Sequence, residues 1–276
     1  NFYYYKNVTL TANSGSKVYN GSEQSVTGYA GAPAVVTFDG ITASGSGTNK
    51  GEYDVTFSEG AVGKISTDQK YIVTEAKSGK LTITPLELTI TGASDTVTYT
   101  GSLQKLETYT VTPALPTGHT LSGLSYLAQG TDVGTYNGAF SGTAKITDAS
   151  GTDVTANYTI TTEIGQLAIE ADNTEITVTI TGSTDTKVYN GTEQSVTGYT
   201  TDVGSKPITV ALKETGKDTA KGTNAGKYFM GLTKDDFTVT STNYSNIKVI
   251  VNDGYLEITQ NTDKVTVTIT GNHDSK

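Results

Sequence analysis

Apolar and polar residues alternate one by one through much of the chain. Val8 and Leu10 share one face while Thr9 and Thr11 share the other, and the same rhythm carries Leu88/Ile90, Val178/Ile180 and Val265/Val267/Ile269. A period of two puts every second side chain on the same face of a strand, so these segments predict half-buried antiparallel strands, apolar inward and polar outward. Leu81/Ile83, Leu167/Ile169 and Leu256/Ile258 alternate in the same way with polar neighbours. No window carries an apolar stripe of helical period and helical length; one short helical turn is expected near Lys234–Phe237.

The strands recur in a longer pattern. Residues 17–29 read KVYNGSEQSVTGY and residues 187–199 read KVYNGTEQSVTGY, differing only at Ser22 and Thr192. A divergent copy, TVTYTGSLQKLETY, lies between them at 96–109, which makes the period about 85 residues. Three further landmarks follow in constant order. The first is a Gly-x-Tyr ending at Tyr53, Tyr136 and Tyr228. The second is a Tyr in Lys70-Tyr71, Asn157-Tyr158 and Asn243-Tyr244. The third is a closing Gly-x-Leu-x-Ile starting at Gly79, Gly165 and Gly254. The repeats run 1–85, 86–170 and 171–260, and residues 261–276 begin a fourth, because VTVTITGNHDSK repeats the opening of the third. The chain thus reads as a fragment of something longer, with linkers such as Thr84-Pro85-Leu86-Glu87 too short for modules to fold back on one another. About six or seven strands per repeat suggest an all-β fold of tandem immunoglobulin-like β-sandwich modules in an elongated rod. A β-grasp module is the alternative; it requires a helix across the sheet, and none is legible. Within the repeated stretch, Asn20-Gly21 reads as a tight hairpin with Val18 inward and Tyr19 packing.

Composition narrows the function. Thr, Ser, Gly, Val and Tyr dominate, a mix that favours strands and turns. There is no Cys, Trp or Arg, so disulfides, thiolate metal sites and bidentate guanidinium grips are excluded. A net charge of −9 argues against a nucleic-acid partner. No stretch is long and apolar enough for membrane insertion, and no signal peptide opens the chain.

Candidate chemistry is sparse. His119 and His273 fall at unrelated places in the repeat and read as solvated loop residues. Asp148 with Asp153, and Asp235 with Asp236, lack the alternating-ligand pattern of a Ca²⁺ loop. A Lys–Asn cross-link would draw on Lys17 or Lys187 and Asn243, but the repeats do not share the required set. Sequons at Asn7, Asn20, Asn157, Asn190 and Asn243 reflect a chain rich in Asn, Ser and Thr. Phe2-Tyr3-Tyr4-Tyr5 is an aromatic cluster read as packing at a module end. No catalytic, cofactor-binding or metal residue is assigned, no cofactor is expected, and an enzyme is disfavoured.

The landmarks K-V-Y-N-G-S/T-E-Q-S-V-T-G-Y, Gly-x-Tyr, Asn-Tyr and Gly-x-Leu-x-Ile resemble the MBG-type and related immunoglobulin-like tandem repeats of bacterial cell-surface adhesins. The third repeat fits best; the second has Thr100 in place of Asn and lacks the Glu-Gln-Ser-Val run. The resemblance implies an extracellular, cell-surface or cell wall-attached chain with a structural or adhesive role, and supplies no catalytic residues. Neighbouring repeats are the expected partners in the same chain. Direct binding of a host protein, such as an immunoglobulin, or of a mucin glycan is the alternative, and an accessory domain of a secreted enzyme is a third. Tyr29 and Tyr199 separate the first two: exposed in a shared patch they favour binding, buried they favour a stalk.

Overall fold

A computed structural model describes residues 4–274. Phe2 and Tyr3 of the aromatic cluster lie outside the described residues; Tyr4 is almost fully exposed. The first repeat contains β1 (Lys6–Ala12), β2 (Gly15–Val18), β3 (Gln24–Thr27), β4 (Tyr29–Ala30), β5 (Ala43–Gly47), β6 (Gly51–Phe57), β7 (Tyr71–Lys77) and β8 (Gly79–Thr84). The second contains β9 (Leu86–Gly92), β10 (Asp95–Thr98), β11 (Gln104–Leu106), β12 (Tyr109–Thr112), β13 (Thr120–Gly130), β14 (Gly134–Asn137), β15 (Ala139–Thr147), β16 (Tyr158–Glu163) and β17 (Gln166–Glu170). The third contains β18 (Ile176–Gly182), β19 (Thr184–Val188), β20 (Gln194–Thr197), β21 (Tyr199–Asp202), β22 (Thr209–Leu212), β23 (Thr219–Gly222), β24 (Gly226–Phe229), β25 (Phe237–Thr240), β26 (Ile247–Asn252) and β27 (Tyr255–Thr259).

The described residues hold no α-helix. Short 3₁₀ turns stand at Thr155–Asn157 and at Lys234–Asp236, the latter where the sequence predicts a helical turn. The fold is all-β, built from tandem immunoglobulin-like β-sandwich modules. Strands are shorter and more numerous than the six or seven expected per repeat, because the early strands break where they change sheets. In the first repeat β1 lies between β4 and β7, whereas β2, two residues further on, pairs with β8 in a separate sheet of order β2-β8-β6-β5-β3.

The alternation is realised. Leu10, Leu88, Ile90, Val178 and Ile180 are fully buried on the first strands, as are Leu81, Ile83, Leu167, Ile169, Leu256 and Ile258 on the closing ones. The pairing differs from the antiparallel expectation. β1 runs parallel to β7, β9 to β16 and β18 to β26, while β2 runs parallel to β8 and β19 to β27. A period of two fixes which face is buried but is blind to the direction of the partner strand, which depends on an intervening segment of 58 to 66 residues. Val265, Val267 and Ile269 form no strand and are largely exposed.

The chain separates into two compact units. One comprises Asn1–Asp95, Leu103–Gly130 and Thr135–Ala168; the other comprises Thr96–Ser102, Thr131–Gly134 and Ile169–Lys276. In the first unit, Ala12, Val55, Leu81 and Ile83 of the first repeat share a continuous core with Leu88, Ile146 and Tyr158 of the second. In the second unit, Val178, Ile180, Phe237, Leu256 and Ile258 form the centre of another core.

Candidate functional site

The repeated stretch is not a hairpin. β2 pairs with β8 and β3 pairs with β5, so the chain arches from one sheet edge to the other between them. Gly21 and Gly191 take left-handed φ values of 79° and 80°, as a tight turn requires. Asn20 and Asn190 stay outside that region; each instead accepts a hydrogen bond on its side-chain oxygen from the amide two residues on, at 3.0 and 2.9 Å. The arch is spanned by Gln24, whose amide donates to the Val18 carbonyl at 3.0 Å, and by Gln194, which donates to Val188 at the same distance. Val18 and Val188 point outward, more than half exposed, which reverses the inward placement expected for Val18. The residue the arch delivers is Tyr19, held by its amide to the Thr84 carbonyl at 2.8 Å.

Tyr19 grips the next repeat. Its ring is 2% exposed and meets Tyr158 edge-on, with centroids 5.4 Å apart and planes at 81°. His119 completes the cluster: its ring lies 6.0 Å from that of Tyr19, and its Nδ1 hydrogen-bonds to the Tyr158 hydroxyl. Burial pushes the Tyr158 hydroxyl from its ordinary 10.0 up to about 12, and burial also raises Tyr19. His119 is therefore a half-buried junction residue and not a solvated loop residue.

Beside the rings, Asn157 makes a two-point contact. Its amide nitrogen donates to Asn49 Oδ1 at 2.9 Å, and its side-chain oxygen accepts from the Lys50 amide at 2.7 Å. A carboxamide carries one donor edge and one acceptor edge, so a single side chain matches both groups of the loop. The loop is itself clamped. The Tyr53 hydroxyl donates to the Asn49 carbonyl at 2.8 Å, and its ring lies over Gly47, where a Cβ would come within 2.3 Å. This accounts for the Tyr of the Gly-x-Tyr landmark and for the Gly six residues before it.

The second unit contains the same construction. Tyr99, held by its amide to the Glu170 carbonyl at 2.8 Å, meets Tyr244 at 5.4 Å and 87°. Asn243 donates to Asp132 Oδ1 at 2.9 Å and accepts from the Val133 amide at 2.9 Å. Here a neutral amide faces a carboxylate, a charge-assisted bond. The sequence carries this device as Gly-Thr-Asx-x-Gly-x-Tyr at 47–53, 130–136 and 222–228. Its Gly-x-Tyr end is legible as a repeated landmark, but the role of the Asx position is not, since it acts on a residue more than a hundred positions away.

The remaining candidates fall into structural roles. Asn157 and Asn243 are buried in these grips, so neither sequon is open to a glycan. Lys187 Nζ donates to the Ser195 carbonyl at 2.7 Å while the Asn243 amide is engaged with Asp132 and Val133, so this pair is not set for a cross-link. Asp148 organises a turn, accepting from the Ser150 hydroxyl and from the amides of Thr152 and Ser150; the first two bonds lower the pKa of its carboxyl. Asp236 caps the 3₁₀ turn through Thr233, and Asp235 pairs with Lys234 Nζ at 2.7 Å. Among the described residues no three His, Asp or Glu side chains converge on a metal-sized site. Tyr29 packs on Phe57 at 5.5 Å and Tyr199 on Phe237 at 5.0 Å, each half-buried inside its own module.

No protein-family profile matches the chain. No curated protein matches it either. Among solved structures, the chain is similar to the N-terminal four Ig domains of Dscam1 isoform 9.44 (with zinc), at 12% identity over 92% of this chain and 73% of that one, with a TM-score of 0.19. It is also similar to the N-terminal eight Ig domains of Down Syndrome Cell Adhesion Molecule isoform 1.30.30, at 12% identity and a TM-score of 0.17, over 92% of this chain and 35% of that one. Likeness at such scores carries no weight for this chain, and its function is read from the grips themselves. No helix among the described residues is long and apolar enough to cross a membrane.

Proposed function

We propose that this chain is the structural repeat region of an extracellular, adhesin-like surface protein, a stalk whose modules are locked to their neighbours, and that it carries no catalysis. The carrying observation is the doubled grip: Tyr19 with Asn157-Tyr158 in one unit, Tyr99 with Asn243-Tyr244 in the other. An array that must transmit position along its length benefits from the same rigid joint at each step. Tyr, the hot-spot residue type most available for ligand binding, is spent inside the modules at Tyr29 and Tyr199 and inside the joints at Tyr19 and Tyr99. The bacterial cell-surface setting rests on the sequence resemblance.

Two measurements on the whole chain test this reading. Small-angle scattering should return an extended envelope that stays extended as salt is raised. A pull-down from serum and mucus should recover no saturable partner. A compact envelope or saturable capture of an immunoglobulin or mucin overturns the stalk and favours direct ligand binding.

A further inference from the structure

The third repeat carries the complete upper half of the same grip. Tyr189 is held by its amide to the Thr259 carbonyl at 2.9 Å, as Tyr19 is to Thr84 and Tyr99 to Glu170. The following loop is clamped in the same way, with the Tyr228 hydroxyl on the Asn224 carbonyl at 3.0 Å and its ring over Gly222. Asn224 and Ala225 then stand where Asn49-Lys50 and Asp132-Val133 stand in the other two grips. The difference is cover. Tyr19 and Tyr99 are 2% and 8% exposed, whereas Tyr189 is 39% exposed. It lines an open groove of about 520 Å³ with Ala225, Gln260, Asn261, Asp263 and Val265.

The linker beside this groove is already shaped. In the occupied grip of the second unit, the Thr174 amide bonds to Asp172 Oδ1 at 2.9 Å just before β18 begins. The Asp263 amide makes the same bond to Asn261 Oδ1 at 2.8 Å just before Val265. The spacing from Ile169 to Ile176 equals that from Ile258 to Val265, and the segment then reads Val-Thr-Val-Thr-Ile-Thr-Gly against Ile-Thr-Val-Thr-Ile-Thr-Gly in β18.

We propose that the Tyr189 groove is a docking site for the Asn-Tyr corner of a further repeat, entered through Val265–Gly271. That corner would set a Tyr ring edge-on against Tyr189 and give a carboxamide to Asn224 Oδ1 and the Ala225 amide. A second copy of this chain is a poor occupant. Its Asn157 and Asn243 are already buried in their own grips, and its first repeat has Lys70-Tyr71 at the corresponding place, with Ser66 bonding locally to Asp68 and Tyr71. The inference deepens the stalk reading, on which it rests for its biological setting.

The test appends residues 188–259 after Lys276, which completes a fourth repeat in register, and follows amide hydrogen exchange. In the present chain Ala225 is exposed and should exchange faster than Lys50 and Val133. In the extended chain its exchange should slow by about tenfold or more, and Asn→Ala at the appended copy of Asn243 should reverse that. The same measurement with residues 98–170 appended supplies a second fourth repeat with its own Asn-Tyr pair. Unchanged exchange at Ala225 beside a folded fourth repeat overturns the proposal. So does concentration-dependent protection of Ala225 in the unextended chain, which would name a second copy as the occupant. Saturable serum binding with Ala225 protected would overturn the stalk and leave this site standing.

Discussion

Residues 17–29 and 187–199 differ in one hydroxyl-bearing side chain, and both fold into the same arch. Each keeps its Asn side chain on the amide two residues on, its Gln on the Val carbonyl, and its Tyr amide on the closing strand. Yet Tyr19 is sealed and Tyr189 is open. The local sequence therefore determines the arch, and the fate of the ring it presents is determined by what stands over it. A copy of a motif is not a copy of an environment, and identical side chains should respond very differently to the same change.

The largest effect should come from removing the rings. Tyr19→Ala and Tyr99→Ala each delete a buried aromatic with an edge-to-face partner and leave a cavity, which we expect to cost about 3–5 kcal/mol. Tyr189→Ala should cost less than about 1 kcal/mol in the same chain. Urea titrations followed by near-ultraviolet circular dichroism measure all three. Equal losses at Tyr19 and Tyr189 would erase the comparison.

The carboxamides come next. Asn157→Ala and Asn243→Ala each strip two hydrogen bonds from a buried position, for an expected loss of about 1–3 kcal/mol. Aspartate separates the two grips. Asn243→Asp sets a second carboxylate against Asp132, whereas Asn157→Asp faces the neutral Asn49, so the first should be the more damaging. Raising salt should narrow that gap. If the two variants melt together, the charge at Asp132 is not felt across the joint.

A pH titration reports on the sealed ring cluster at Tyr158. The Tyr158 hydroxyl is raised from 10.0 to about 12 by burial, so the folded chain holds its proton more tightly than the unfolded chain does. Stability from this group is complete below pH 10 and is lost as the pH climbs through 12. Tyrosinate absorbance should show Tyr158 titrating late, and Tyr158→Phe should remove that late step. Ionisation of Tyr158 near 10 would contradict the burial described.

Much of the fold was legible because a period of two is a local signal. Leu10, Ile90 and Val178 announce their burial from their immediate neighbours, and the repeat announces itself by plain identity. Strand direction was not legible, since β1 and β7 are joined by a long crossover that leaves no mark in either strand. The joints were half legible. Tyr19 and the Asn-Tyr pairs stood out as landmarks, but nothing near Asn157 says that it reaches back to Asn49, and His119 has no counterpart in the other repeats to draw attention to it. Val18 misled for a related reason: it is apolar in a strand, yet it sits on the outer face of an arch that local pattern cannot tell from a hairpin.

The smallest expected effect is also the cleanest control. Gln24 and Gln194 make the same bond at the same distance inside the arch, away from the ring that differs. Each substitution by Ala removes one exposed hydrogen bond to a backbone carbonyl, for about 0.5–1.5 kcal/mol. If the arch is a local construction, the two losses should agree within error while those at Tyr19 and Tyr189 diverge. If Gln24→Ala proves much the costlier, the arch and the joint above it are coupled, and the separation between motif and environment fails at its first step. Differential melting of the two single variants and of the double variant decides this, with additivity expected because the two side chains share no partner.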